Sequence, residues 1–166
     1  MVNFAEDVLY LKEYLNDLEG LRMAMDIESR GSHFYKLAMG KFKDEKIKEF
    51  FRMLMEEENE HLRVFTEYFN QIAQHKEAEA SEYLFDPEAA RYITVLAESH
   101  VFPLKEDAEK VLSGIDSLEK VAVLAMQAEK DSILLYGELA VCAKFQQARE
   151  VFKKLREEEQ EHVVVL

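Results

Sequence analysis

The side chains most able to do chemistry are four glutamates, two histidines and two tyrosines, which form two sets with identical spacing. In each set a tyrosine follows the first glutamate by seven residues, and a Glu-x-x-His motif follows that glutamate by thirty. The first set is Glu28, Tyr35, Glu58 and His61, and the second is Glu129, Tyr136, Glu159 and His162. Carboxylates and imidazoles bind iron, manganese and zinc ions, so this pattern indicates a metal site.

Helical periodicity places these side chains on apolar faces. Leu54, Glu58, His61 and Phe65 follow one another at steps of four, three and four residues, which is the repeat of one helix face. Apolar residues flank the second Glu-x-x-His motif at the same steps. We therefore expect the carboxylates and imidazoles to point into the protein.

Such a buried cluster requires cations. Burial of one unpaired carboxylate costs several kcal/mol, and four would also repel one another. No lysine or arginine lies beside them on the same faces. Two divalent ions would balance four carboxylates and leave one imidazole for each ion. The mixed oxygen and nitrogen set favours iron or manganese, since structural zinc more often takes thiolates.

Composition limits the other functions that are open to the chain. It has 166 residues, a formal net charge of −13 and one cysteine, which predicts a single domain over residues 1–166 without a cysteine-based metal site or disulfide framework. The acidic balance argues against nucleic acid or a membrane as a partner. Because no apolar run approaches the roughly 20 residues of a membrane span, we expect a cytoplasmic protein.

The order of the elements follows from the prolines and the helix caps. Both prolines lie between residues 86 and 104, and the flanking stretches are rich in helix-forming residues. We predict helix A over 17–39, helix B from a cap at Asp44 to about Gln74, a crossover with one or two short helices over 75–114, helix C from a cap at Asp116 to about Ala143, and helix D after Lys144. A short extra helix is predicted over 4–15.

An internal repeat joins these helices into one architecture. A shift of 101 residues aligns 24–35 with 125–136, and 50–61 with 151–162. Each half therefore predicts a helical hairpin that cannot cover its apolar face alone. The prediction is an all-α four-helix bundle made of two repeated helical hairpins, with a long crossover between helices B and C.

The glutamates beside the predicted ligands are open to two interpretations. Glu56, Glu57, Glu157 and Glu158 are expected to face water, since a glutamate-rich run is usually a solvated helix face. Glu57 and Glu158 are the alternative ligands if the predicted phase of the helices is wrong by one residue.

Taken together, the motifs resemble those of the rubrerythrin group of ferritin-like di-iron carboxylate proteins. The resemblance rests on Glu28 with Tyr35, EENEH at 57–61, Glu129 with Tyr136, and EEQEH at 158–162. It implies a ferritin-like bundle with a non-haem di-iron site. The implied roles are terminal ligands for Glu28 and Glu129, bridging ligands for Glu58 and Glu159, nitrogen ligands for His61 and His162, and hydrogen-bond donors to the carboxylates for Tyr35 and Tyr136.

The resemblance also implies an activity. The expected protein is an oxidoreductase with two Fe ions, for which Mn or Zn can substitute, and it reduces hydrogen peroxide or dioxygen in oxidative stress. A rubredoxin domain needs four cysteines, so electrons are expected from an external donor such as a rubredoxin-type protein. The alternatives are a ferroxidase with an iron-handling role, and a degenerate bundle for protein interaction or metal sensing. A homodimer or larger homo-oligomer is expected.

One position departs from the rubrerythrin pattern. Rubrerythrins carry a further glutamate one turn after the helix C ligand, where this chain has Ser132, and its counterpart on helix A is Gly31. These two small residues motivate the hypothesis that space is left for a ligand beside the metals. The apolar tail Val163–Leu166 is predicted to dock on its own bundle or on a second subunit.

Overall fold

The computed structural model describes residues 14–99 and 101–166. Within these ranges the protein contains six α-helices and no β-strand. The helices are α1 (Asp17–Lys41), α2 (Glu45–Ala73), α3 (Pro87–Ser99), α4 (Lys105–Ser113), α5 (Leu118–Cys142) and α6 (Gln146–Val165). The extra helix predicted over 4–15 lies outside the described residues, apart from residues 14 and 15, which are not helical.

The four long helices form the predicted pair of hairpins. Helices α1 and α2 pack together as one antiparallel hairpin, joined by residues 42–44. Helices α5 and α6 form the second, joined by residues 143–145. The hairpins contact each other through α2 with α6 and α1 with α5. This arrangement confirms the all-α bundle of two repeated hairpins with a long crossover.

The crossover between the hairpins contains two short helices, α3 and α4, preceded by the 3₁₀ turns Lys76–Glu79 and Ser81–Tyr83. Pro87 occupies the first position of α3, where its missing N–H costs no hydrogen bond. The Asp86 carboxylate accepts hydrogen bonds from the next two free backbone N–H groups. Helix α3 packs on α5, and α4 packs on α1, so the crossover covers both hairpins.

Of the two predicted helix caps, one is confirmed and the other is wrong. Asp44 caps α2 as expected, since its carboxylate accepts hydrogen bonds from the backbone N–H groups of the first turn. The prediction for Asp116 is wrong, because α5 begins one residue later and Ser117 accepts the hydrogen bond from the backbone N–H of Lys120. Asp116 instead forms an ion pair of 2.8 Å with the Lys120 ammonium group.

A buried aspartate ties the two hairpins together at one end of the bundle. Asp17 begins α1, yet its carboxylate accepts hydrogen bonds from the backbone N–H groups of Lys144, at 2.9 Å, and Phe145, at 2.8 Å. These two residues form the turn before α6. Asp17 thereby satisfies the two backbone donors that immediately precede helix α6.

At the other end of the chain, the predicted docking of the apolar tail is seen in part. Helix α6 runs through Val165, and Leu166 packs against the hydrophobic core. Val164 and Val165 remain exposed. Among the described helices, none combines the length and the apolar character needed to cross a lipid bilayer.

Candidate metal centre

The six predicted metal ligands converge in the interior of the bundle. All four long helices contribute: Glu28 from α1, Glu58 and His61 from α2, Glu129 from α5, and Glu159 and His162 from α6. Each of these residues is at most 4% exposed. The helix phase that places the ligands inside is therefore the one present, although their binding of metal stays a prediction.

The cluster divides into two overlapping groups of possible ligands. One group is Glu28, Glu58, His61 and Glu159, and the other is Glu58, Glu129, Glu159 and His162. Within each group the ligand atoms lie within 4.8 Å of one another. Glu58 and Glu159 belong to both groups. Each group thus has one glutamate and one histidine of its own, with two glutamates in common.

The carboxylates present oxygen atoms for which the described residues offer no hydrogen-bond donor. These buried atoms are Glu28 Oε2, Glu58 Oε1, Glu129 Oε2 and Glu159 Oε2. His162 Nδ1 is likewise without a hydrogen bond, since it lies 2.9 Å from Glu159 Oε2 but is not aligned with it. Unpaired buried oxygen atoms of this kind are unfavourable unless cations lie among them. The residues present therefore fit a two-metal site.

Two tyrosines hold the second oxygen of Glu28 and of Glu129 in a crossed arrangement. The Tyr35 hydroxyl on α1 donates a hydrogen bond of 2.5 Å to Glu129 on α5. The Tyr136 hydroxyl on α5 donates a hydrogen bond to Glu28 on α1. Burial and the nearby carboxylate charges raise the pKa of both tyrosines, so both stay protonated as donors. Each hydroxyl thus fixes one carboxylate oxygen of the opposite hairpin.

The two histidines lie side by side with their inner nitrogen atoms toward the carboxylates. Their rings are stacked, with centroids 5.3 Å apart and planes 15° apart. His61 Nδ1 lies 2.9 Å from Glu159 and 3.3 Å from Glu28. His162 Nδ1 lies 2.9 Å from Glu159 and 3.4 Å from Glu129. Nδ1 is therefore the atom that each ring offers to a bound ion.

The outer nitrogen atoms contact two glutamates that the sequence pattern places on the solvent side of their helices. His162 Nε2 lies 2.7 Å from Glu57, and His61 Nε2 lies 2.9 Å from Glu158. Both carboxylates are partly exposed to water, as expected, but each also reaches across to the histidine of the opposite hairpin. The alternative in which they replace Glu58 and Glu159 as inward ligands is wrong. Their recurrence in the repeat is the signal that could have identified them.

The carboxylates around the two imidazoles keep both rings protonated when no metal is bound. Burial lowers the pKa of His61, but the hydrogen bond to Glu159 and the charges of Glu159 and Glu28 outweigh it and raise the pKa to about 11. For His162, burial likewise lowers the pKa, but Glu129 and Glu159 raise it to about 10. Both rings are therefore imidazolium cations at neutral pH in the metal-free protein.

The four carboxylates differ in their affinity for protons. Burial raises the pKa of Glu58 and Glu159, and the charges of the other carboxylates raise it further. Burial also raises the pKa of Glu28 and Glu129, but hydrogen bonds from the neighbouring side chains outweigh this and lower it overall. The two glutamates common to both groups are thus the ones with the higher affinity for protons in the absence of metal.

We predict that metal binding releases protons and becomes tighter as the pH rises. The imidazole pKa values of about 11 and about 10 exceed the ordinary value of 6.5, so each ring must lose a proton before Nδ1 can bind an ion. The apparent affinity for Mn²⁺ should therefore rise steadily from about pH 6 to about pH 8. Calorimetry in buffers of different ionisation enthalpy measures the protons released, and an affinity independent of pH would contradict the prediction.

The hypothesis of a ligand space beside Gly31 and Ser132 is wrong. A Cβ atom at Gly31 would lie 3.0 Å from the Phe102 ring and 3.1 Å from the Glu58 carboxylate, so the space is filled. Phe102 comes from the crossover and packs on Tyr35, with ring centroids 5.4 Å apart. Ser132 is buried, and its hydroxyl donates a hydrogen bond to the Ala128 carbonyl. The crossover thus closes this side of the centre.

An open cavity lies over the edges of the two histidine rings. Its volume is about 430 Å³, and its walls carry four acidic side chains, Glu57, Glu60, Glu158 and Glu161. Both histidines line its floor. Among the described residues, this cavity connects solvent with the side of the cluster that is not covered by Phe102.

Comparisons with known proteins agree with this geometry. The rubrerythrin family model matches residues 19–100, which include Glu28, Glu58 and His61. A protein from Thermotoga maritima described as a ferritin-like diiron-carboxylate protein has a similar structure, with a TM-score of 0.67 and 24% sequence identity over 90% of this chain and 91% of that chain. No curated protein shows significant similarity to the chain. The fold is ferritin-like, and the first hairpin together with part of the crossover is similar to the rubrerythrin family.

Proposed function

We propose that this protein is a non-haem di-iron oxidoreductase that reduces hydrogen peroxide or dioxygen with electrons from a separate donor protein. One observation carries the proposal: two carboxylate and histidine groups lie in the interior, share Glu58 and Glu159, and leave carboxylate oxygens without hydrogen-bond donors. A mixed oxygen and nitrogen ligand set of this kind suits iron.

In this proposal Glu28, Glu58, His61 and Glu159 hold one ion, and Glu58, Glu129, Glu159 and His162 hold the other. When bound, a ferrous pair supplies two electrons to the oxidant and is later reduced again by the donor protein. Four carboxylates balance the four positive charges of two ferrous ions, so the loaded interior is close to neutral.

The surrounding side chains prepare the interior for this chemistry. Tyr35 and Tyr136 fix the Glu129 and Glu28 carboxylates through hydrogen bonds, which limits their rotation. Phe102 packs beside Glu58 and excludes water from the side of the crossover. The cavity over the histidines is wide enough to admit a small neutral molecule such as peroxide, and the shielded interior strengthens the electrostatic interactions within it.

A ferroxidase with an iron-handling role is the second proposal. The observation that favours it is the ring of four glutamates around the cavity, which would attract ferrous ions toward the cluster. Storage of oxidised iron would also require a closed shell of many subunits. A homodimer or other small homo-oligomer on size-exclusion chromatography would therefore favour the oxidoreductase over a storage protein.

The test is peroxide consumption by protein loaded with ferrous iron under anaerobic conditions. We expect roughly one peroxide to be consumed per protein without a reductant, because two electrons are available, and repeated turnover when an external electron donor is supplied. Zinc-loaded protein is the control, since zinc cannot change its oxidation state. Peroxide loss no faster than that caused by free ferrous ion would refute the proposal.

A further inference from the structure

Two carboxylates outside the predicted ligand set lie on the cavity side of the histidines, and each contacts one of the two rings. Glu57 on α2 reaches His162 on α6 at 2.7 Å, and Glu158 on α6 reaches His61 on α2 at 2.9 Å. The two contacts are equivalent under the internal repeat, since the glutamates are 101 residues apart and so are the histidines. Each contact also joins one hairpin to the other.

The atoms in contact give these pairs a specific consequence. Both glutamates meet Nε2, while Nδ1 of the same ring points to the inward carboxylates. A carboxylate is only an acceptor when ionised, so the contact places a proton on Nε2, and Nδ1 is then the nitrogen through which the ring can bind an ion. A hydrogen bond to the outer nitrogen of a metal-bound histidine also fixes the plane of the ring.

Burial separates these contacts from ordinary surface ion pairs. The glutamate side chains are 47% and 38% exposed, but the histidine side chains are only 5% and 4% exposed. Each pair therefore anchors a buried ring from the edge of the cavity. Oε1 of Glu158 lies 3.8 Å from the Lys154 ammonium group, while Oε2 contacts His61.

We propose that Glu57 and Glu158 are positioning residues for the metal centre, each of which holds the histidine of the opposite hairpin so that Nδ1 faces the bound ion. This inference rests on the proposed two-metal site, but not on peroxide or dioxygen as the oxidant. The glutamate of each hairpin positions the histidine of the other hairpin. Loss of either glutamate should therefore weaken the group that contains its histidine partner.

The experiment is a titration of the metal-free protein with Co²⁺, followed by its visible absorption. Removal of an acceptor behind a ligating histidine typically costs about 10- to 100-fold in metal affinity, so we expect losses of that size in Glu57→Ala and Glu158→Ala. The variants Glu57→Gln and Glu158→Gln retain an acceptor oxygen and should keep most of the affinity. Glu56→Gln and Glu157→Gln are matched controls, because these neighbouring glutamates are exposed.

A second measurement separates positioning from a general effect on folding. In zinc-loaded protein, the NMR signals of the two histidine Nε2 protons should be protected from exchange with water. Glu158→Ala should remove the protection for His61 alone, and Glu158→Gln should retain it. Thermal unfolding of the metal-free variants shows whether the fold itself has changed.

The outcomes differ for this inference and for the function on which it rests. Alanine variants that bind Co²⁺ as tightly as the controls, or glutamine variants that lose as much affinity as the alanine variants, would overturn the positioning role. A parent protein that binds no Co²⁺ would overturn the two-metal site and this inference together. A parent that binds Co²⁺ but does not consume peroxide when loaded with iron would overturn only the proposed oxidoreductase.

Discussion

Replacement of Glu58 with alanine should abolish the loading of both metal ions. Glu58 belongs to both ligand groups, so the change removes one carboxylate from each of them and leaves four positive charges facing three carboxylates. The loss of affinity should exceed the about 10- to 100-fold that is typical when a residue behind a ligand is removed. Metal analysis after anaerobic loading and removal of free iron measures the result.

Glu28→Ala is the informative comparison, because Glu28 belongs to only one group. That variant should retain one ion in the group of Glu129 and His162. If Glu58→Ala binds two ions per chain as the parent does, the assignment of Glu58 to both ions is wrong. Peroxide consumption should fall in parallel with the metal content of each variant.

Removal of the metals should lower the thermal stability of the protein substantially. Binding to the folded state alone contributes about 4 kcal/mol per site when free metal is about 1,000 times its Kd. For a chain of this length, each kcal/mol corresponds to about 2–4 °C, so one site shifts the Tm by about 8–16 °C. Calorimetry of loaded and chelator-treated protein measures the shift.

The Glu58→Ala variant provides the control for this measurement, since its Tm should no longer respond to added metal. The structural cause lies in the interior, where the metal-free carboxylates keep oxygens without donors. A parent protein with the same Tm in both states would contradict the prediction. It would instead favour a bundle that acts in protein interaction without a functional centre.

The sequence was sufficient to predict the placement of the carboxylate and histidine cluster because helix periodicity acts over short distances. The steps Leu54, Glu58, His61 and Phe65 define one face of α2, and the structure buries all four. The same pattern in the second half predicted the second hairpin. Only the packing of α2 against α6 was then needed to bring the two Glu-x-x-His motifs together.

Features that depend on contacts between distant elements could not be predicted in this way. Phe102 fills the space beside Gly31 because the crossover turns inward at that point, which no local pattern indicates. The contact of Glu57 with His162 depends on the distance between two helices, so periodicity assigned Glu57 to solvent. Ser117 replaces Asp116 as a cap through a difference of one residue, which is within the usual uncertainty of helix ends.

The division of each ligand group between the two hairpins has a consequence for folding. The segment 17–73 carries Glu28, Glu58 and His61 but lacks Glu159, and the segment 118–165 lacks Glu58. Neither half of the polypeptide can therefore assemble a full coordination set before the other docks on it. If the site binds two metal ions as proposed, tight binding requires both hairpins to be docked, and the bound ions would then indicate that the whole bundle has assembled.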